Sequence, residues 1–282
     1  MLTAAAPASP ALLATLAPAD RRGIPAEGGQ VPSPARRVEE CMGTVFSLDV
    51  RGAGVPAHVL DAAIEWLHWV DRTFSTYQPD SVVSRLSRGE LTADECPAEV
   101  REVLGLVRAA SAASDGYFSE APHGFLDPTG IVKGWAVERA SDLLVAAGST
   151  SHVVNGGGDV QVVGEAAAGR PWRVGVAHPV RPRQLVAVVS AHDAAVATSG
   201  TAERGRHIVD PLRGVPADGL ASVTVVGPRL AWVDAVATAA FAMGLERGLA
   251  WVERLPDLEA LAVTPNGRTH HTSGFLQWGA LT

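Results

Sequence analysis

Apolar positions recur along this chain at two different periods, and the switches between them predict a mixture of helices and short strands. Leu60, Ala63, Ile64, Leu67, Val70 and Phe74 follow one another at helical spacing behind Pro56, which suits a first turn. Val100, Val103, Leu104, Val107 and Ala110 predict a second helix over 98–114, ended by Asp115-Gly116. A third helix is expected from near Val132 to Ala147, stopped by Gly148, and a fourth over 230–243, closed by Gly244. Strand-like runs lie between them at Val45–Val50, Trp172–Ala177, Leu185–Ser190 and Ser222–Val226. Residues 151–163 read as two strands about a turn at Gly156-Gly157-Gly158, and the chain from Val252 onward as short strands. Thr198-Ser199-Gly200 reads as an exposed polar loop. No internal repeat is visible. The strands do not alternate one-to-one with helices as in a doubly wound sheet, so the expected fold class is α+β in one domain over 38–282.

Residues 1–37 are Ala/Pro/Gly-rich without a sustained period and are expected to form a disordered leader. The first stretch lacks a basic region and is broken by Pro7 and Pro10, which argues against an export signal. Glu39-Glu40 precede Cys41, unlike a lipid-modified cysteine, and no run is apolar enough to span a bilayer. The expected location is cytoplasmic.

Composition narrows the function classes. The 282 residues are 47% hydrophobic and 19% charged, as in a folded protein. A net charge of −7 and a pI near 5.7 argue against nucleic acid as the main partner. The two cysteines, Cys41 and Cys96, have no zinc-like spacing and read as incidental thiols.

The segment Trp232–Gly244 carries the most chemistry. Asp234 and Thr238 are four apart, hence on one helical face, among Ala, Val and Phe. An oxygen-seeking cation such as Mg²⁺ is one partner for that pair. The other reading makes Asp234 a cap and bonds Thr238 to its own preceding turn, and on these residues alone capping is the commoner role. His207, next to Arg206 and ahead of Asp210-Pro211, is a candidate proton acceptor for a hydroxyl, although an ordinary histidine satisfies the pattern equally. Asp127–Gly134 is a turn into a helix, with free amides and Lys133 suited to a phosphate, but without Walker A spacing. Asn155–Asp159 lacks the dinucleotide spacing and suits a tight turn. Ser199 lacks a nucleophile elbow. The remaining tryptophans read as packing residues.

Taken in order, Met42-Gly43-Thr44, Phe74–Tyr77, Asp80-Ser81, Ser84–Leu86, Ser114–Phe118, Asp127–Gly134, Gly156–Asp159, Ala197–Gly200, His207–Pro211 and Asp234…Thr238 resemble the FAD:protein FMN transferase (ApbE) family over nearly everything after residue 40. The resemblance implies one T-fold-like α+β domain with FAD in a cleft between two lobes. It implies FAD contacts at Met42, Tyr77, Tyr117, Phe118, Ser119, Asp127, Lys133 and Ile208. It implies metal ligands at Asp234, Thr238 and the Gly130 carbonyl, and His207 as the residue that activates the acceptor hydroxyl. The implied reaction is Mg²⁺-dependent cleavage of FAD, with FMN passed to a Ser or Thr of an acceptor protein and AMP released. A FAD pyrophosphatase and a non-catalytic FAD-binding protein are the alternatives. Ser119 stands where the family usually has Asp, and the Phe118–Asp127 connection is short, as in a compact subtype.

Overall fold

The computed structural model describes residues 35–52, 55–122, 124–202 and 205–282. Apart from its last three positions, the expected leader lies outside these residues; Ala35–Arg37 belong to the first strand. The Met42-Gly43 segment turns the chain between β1 (Ala35–Cys41) and β2 (Thr44–Val50), with φ of 50° and 69°. Positive φ at both central residues matches the natural twist of an antiparallel pair.

Eight strands form one antiparallel sheet in the order β1-β2-β3-β4-β7-β10-β11-β12. The added strands are β3 (His152–Gly156), β4 (Asp159–Val163), β7 (Ala194–Gly200), β10 (Ser222–Gly227), β11 (Glu259–Val263) and β12 (Thr269–His271). The Gly157-Gly158 turn joins β3 to β4, as expected. A second sheet runs β13-β6-β5, from β5 (Trp172–Ala177), β6 (Leu185–Ala191) and β13 (Gly279–Leu281). β8 (Val209–Asp210) and β9 (Val215–Pro216) form a separate hairpin.

The large sheet is covered on both faces. Alternate side chains such as Leu48, Val154, Ala197 and Val225 join a core shared with the helices. Their neighbours Val153, Val160, Val196 and Val226 join a second core with Trp172, Val174 and Val189 of the small sheet. Period-two alternation therefore feeds two cores rather than one core and solvent. The helices are α1 (Ala57–Phe74), α2 (Val82–Ser87), α3 (Ala98–Ala113), α4 (Thr129–Ala146), α5 (Leu230–Met243), α6 (Leu245–Val252) and α7 (Phe275–Trp278). Leu60, Ala63, Leu67, Val70 and Phe74 form the buried face of α1. Among the described residues no helix is long and apolar enough to cross a membrane.

Two expectations change. Thr198-Ser199-Gly200 is the end of a central strand, not a loop, and Ser199 is 8% exposed. Its run of small residues shows no alternation because both faces are covered. The chain from Val252 onward forms the expected short strands β11, β12 and β13 but also the short helix α7.

His152 on β3 is fully buried between Ser141 Oγ (2.7 Å from Nε2) and Ser149 Oγ (2.9 Å from Nδ1). Burial disfavours its charged form and lowers its pKa from 6.5 to about 4. Between those values the unfolded chain binds the extra proton, so this contribution is present above pH 6.5 and is lost as pH falls through 4. Urea titrations are expected to show a loss of about 2 kcal/mol from this residue between pH 7 and pH 5. The loss should be absent in His152→Gln; an equal pH slope in that variant contradicts the assignment.

Candidate functional site

A cavity of about 580 Å³ opens between the two sheets, at the N-terminal end of α4. β5, β7, the turn after β3 and the segment before β8 complete its wall. Of the residues singled out from the sequence, all but Met42 line it. Met42 instead sits in the β1–β2 turn and packs against the helix-side core.

The floor is set by α4 crossing α5 at Gly134. A Cβ added there would lie 2.7 Å from Asp234 Cβ and 2.8 Å from the Leu230 carbonyl oxygen, so only glycine allows the helices this close. The Gly134 amide donates to Asp234 Oδ2 at 3.0 Å. In an α-helix that amide faces the carbonyl four residues back, here Gly130, so this carbonyl and the Asp234 carboxylate flank one N–H. A Cβ on Gly130 would lie 3.9 Å from Thr238 Cγ2. Gly130 thus lies across the helix crossing from Asp234 and Thr238, about a hundred residues further along the chain. Asp234 is 6% exposed and caps no turn of its own helix, which starts at Leu230 behind Arg229. The first amides of α5 find side chains from other elements: Leu230 donates to Gln161 Oε1 (3.1 Å) and Ala231 to Glu138 Oε2 (3.0 Å). Asp234 is therefore not spent on capping.

A second network lies beside the first. The β4–β7 ladder pairs Val160 with Val196 and stops there. Beyond it Asp159 Oδ1 accepts from the Thr198 amide at 3.0 Å, taking the place of a strand carbonyl. Asp159 Oδ2 accepts from the Lys133 ammonium. Ser199 Oγ lies 3.1 Å from Thr238 Oγ1, linking β7 to α5.

The rim is more open. Tyr77 is 95% exposed, whereas Tyr117 is held by Arg247, whose guanidinium lies 4.6 Å from the ring centroid and donates to the phenol oxygen at 3.1 Å. Ser119 Oγ accepts from the Ala121 amide at 3.1 Å. Asp127 Oδ1 accepts from the amide and hydroxyl of Thr129, at 3.0 and 2.6 Å, an Asx turn that leads the chain into α4. Ile208 is buried at the cavity wall, and the exposed His207 ring has Nδ1 3.1 Å from the Gly205 carbonyl oxygen. A carbonyl only accepts, so in the neutral ring Nδ1 carries the proton and Nε2 the lone pair.

Among the described residues no three His, Cys, Asp or Glu side chains cluster as metal ligands. Gly130, Asp234 and Thr238 line the same cavity, and a carboxylate, a hydroxyl and a backbone carbonyl are hard oxygen donors of a kind that fits Mg²⁺ better than zinc. Asp159, Ser199 and Arg247 were not selected as site residues from the sequence. A carboxylate directly after the glycine run, in an otherwise Val-rich strand, was the available signal for Asp159.

A model of the ApbE family matches residues 42–122 and 119–262. The FAD:protein FMN transferase of Treponema pallidum is 35% identical over 169 residues, 54% of this chain and 47% of that protein. Its counterpart in Klebsiella pneumoniae is 32% identical over 183 residues, 60% of this chain and 56% of that one. The chain thus spans about half the length of the curated relatives it matches. Among solved structures, the Pseudomonas stutzeri flavinyl transferase ApbE in its apo form superposes with a TM-score of 0.76 at 27% identity, covering 87% of this chain and 96% of that one. The flavin transferase ApbE from Vibrio cholerae gives 0.76 at 22% identity, covering 87% and 100%, and supports the fold.

The close crossing yields a stability test. Alanine normally stabilises a helix interior by up to about 1 kcal/mol over glycine. In Gly134→Ala the forced separation should outweigh that gain and lower unfolding free energy by about 1–3 kcal/mol. A denaturant midpoint equal to or above that of the parent chain contradicts the packing described.

Proposed function

The chain belongs to the ApbE family, and on that footing we propose that it is a FAD:protein FMN transferase. Its supporting observation is that Gly130, Asp234 and Thr238 converge on the wall of the cavity that Lys133 also lines. A dinucleotide diphosphate needs positive charge and amide donors, and the α4 N-terminus with Lys133 supplies both.

Asp234, Thr238 and the Gly130 carbonyl would hold Mg²⁺, which when bound neutralises charge on the diphosphate. The Lys133 ammonium would bind a phosphate oxygen as a compact point charge. Tyr77, Tyr117, Phe118 and Ile208 offer apolar surface for the flavin and adenine rings, with polar groups of Ser119 and Asp127 at the edge. A Ser or Thr hydroxyl of the acceptor protein attacks the phosphorus on the FMN side. His207 Nε2 takes the hydroxyl proton as the new P–O bond forms, and the bond from that phosphorus to the bridging oxygen breaks. AMP leaves with the bridging oxygen, and FMN remains on the acceptor as a phosphoester. Most of the rate gain would come from alignment and charge neutralisation rather than from covalent chemistry by the enzyme.

Incubating the purified chain with FAD and Mg²⁺ tests this reading directly. AMP release and, with an acceptor, a protein mass increased by a linked FMN are the expected results. AMP and free FMN whether or not an acceptor is present would mark a pyrophosphatase instead; stable bound FAD without AMP would mark a binding protein. Asp234→Ala and addition of EDTA should each lower AMP release by at least about 100-fold. Turnover near the parent rate in Asp234→Ala removes the metal assignment.

A further inference from the structure

We propose that Asp159 is a positioning residue for this site: it holds the Lys133 ammonium at the cavity wall, from which the ammonium turns to a diphosphate oxygen when FAD binds. The inference rests on the reading of the cavity as a FAD site and adds a residue and a step to it.

Three observations carry it. Asp159 is 1% exposed although it stands at the turn end of β4, and a carboxylate so removed from water needs a partner for each oxygen. Its two oxygens are divided: Oδ1 is fixed by the Thr198 amide and Oδ2 faces Lys133. The Thr198 bond sets the plane of the carboxylate, and that plane aims the ammonium. The third observation is chemical. Of the 23 lysines and arginines in the chain, Lys133 is the only lysine. Every other cation is arginine, so general preference for a basic residue does not account for lysine here.

The difference between the two cations supplies a reason. A guanidinium would clasp the Asp159 carboxylate through two parallel N–H···O bonds and remain there. An ammonium has three donors arranged about one nitrogen and turns freely, so it can keep one donor on Asp159 while offering another to a phosphate. The Lys133 side chain is 25% exposed, open towards the cavity, whereas that of Asp159 is 2% exposed. Asp159 is thus screened from the substrate and acts through Lys133. The same strand residue pair, Thr198 and Ser199, ties this carboxylate to Thr238 Oγ1, so the amine and the hydroxyl share one rigid support.

The test uses the full chain with FAD and Mg²⁺. Asp159→Asn keeps an oxygen for the Thr198 amide and removes only the charge. Its kcat for AMP release should fall roughly 10- to 100-fold with KM for FAD changed less than about threefold. Lys133→Arg, which keeps the charge, should lose kcat by at least about 10-fold. Because Lys133 is the only lysine, acetylation with an N-hydroxysuccinimide ester, read by peptide mass spectrometry, reports on it separately from the terminal amine. Lys133 should be labelled several-fold faster in Asp159→Asn than in the parent chain, and FAD should slow labelling in the parent. A purely structural role for Asp159 would move neither the kcat-to-KM split nor the labelling rate. Parent-like kcat in Asp159→Asn or in Lys133→Arg, or labelling indifferent to FAD, overturns this inference alone while the parent chain still releases AMP. A parent chain that neither binds nor cleaves FAD overturns the underlying reading as well. Should Asp159→Asn not fold, Lys133→Arg and the FAD protection of Lys133 decide the matter.

Discussion

Everything at the site depends on how closely α4 approaches α5 at Gly134. One hydrogen bond crosses that contact, from the Gly134 amide to Asp234 Oδ2. Remove the glycine and a methyl group would occupy the space of the Asp234 side chain. The contact brings a carboxylate onto the cavity wall, places a helix carbonyl beside it, and leaves the Thr238 hydroxyl one turn further along. α5 tolerates this because its faces are mostly alanine and valine, which let neighbouring backbones come near. Asp234 is its only ionisable residue.

The wider fold serves to hold that crossing still. α4 and α5 rest on β3, β4, β7 and β10, and the reverse face of the same strands is sealed by the small sheet. A sheet buried on both faces has little freedom to bend, because any shift disturbs two close-packed cores. At the start of α5 the buried amides and side chains are matched by partners from other elements. Glu138 accepts from Ala231 and Arg229, and Gln161 accepts from Leu230 while donating to the Ala194 carbonyl at 3.3 Å. The Arg229 side chain is 55% exposed, so its pair with the buried Glu138 is screened by water and contributes less than a fully buried pair. These contacts fix the direction of α5 as well as stabilising it.

The uneven exposure of the cavity follows from the same arrangement. Its floor is made by helix and strand elements, whereas the rim residues Tyr77 and His207 stand exposed on connecting segments. The proposed phosphoryl transfer to a protein hydroxyl suits that division. The diphosphate needs a fixed electrostatic frame, and a macromolecular acceptor needs an open approach.

Hydrophobic periodicity by itself determined α1, α3, α4 and α5 to within a few residues, because each buries one stripe or its whole surface. It also determined the hairpin about the glycine run and the pairing of Asp234 with Thr238 on one face. Periodicity fails at β7, where small residues covered on both sides carry no alternation and the buried Ser199 reads as a loop position. Membership of the ApbE family was legible from the order of motifs. Only tertiary structure decided that Asp234 receives an amide from another helix, that Met42 stays out of the cavity, and that Asp159 faces Lys133. The physical reason is distance along the chain. Local sequence sets which face a side chain occupies, but the partner of a buried charge comes from an element far away, and only packing selects it.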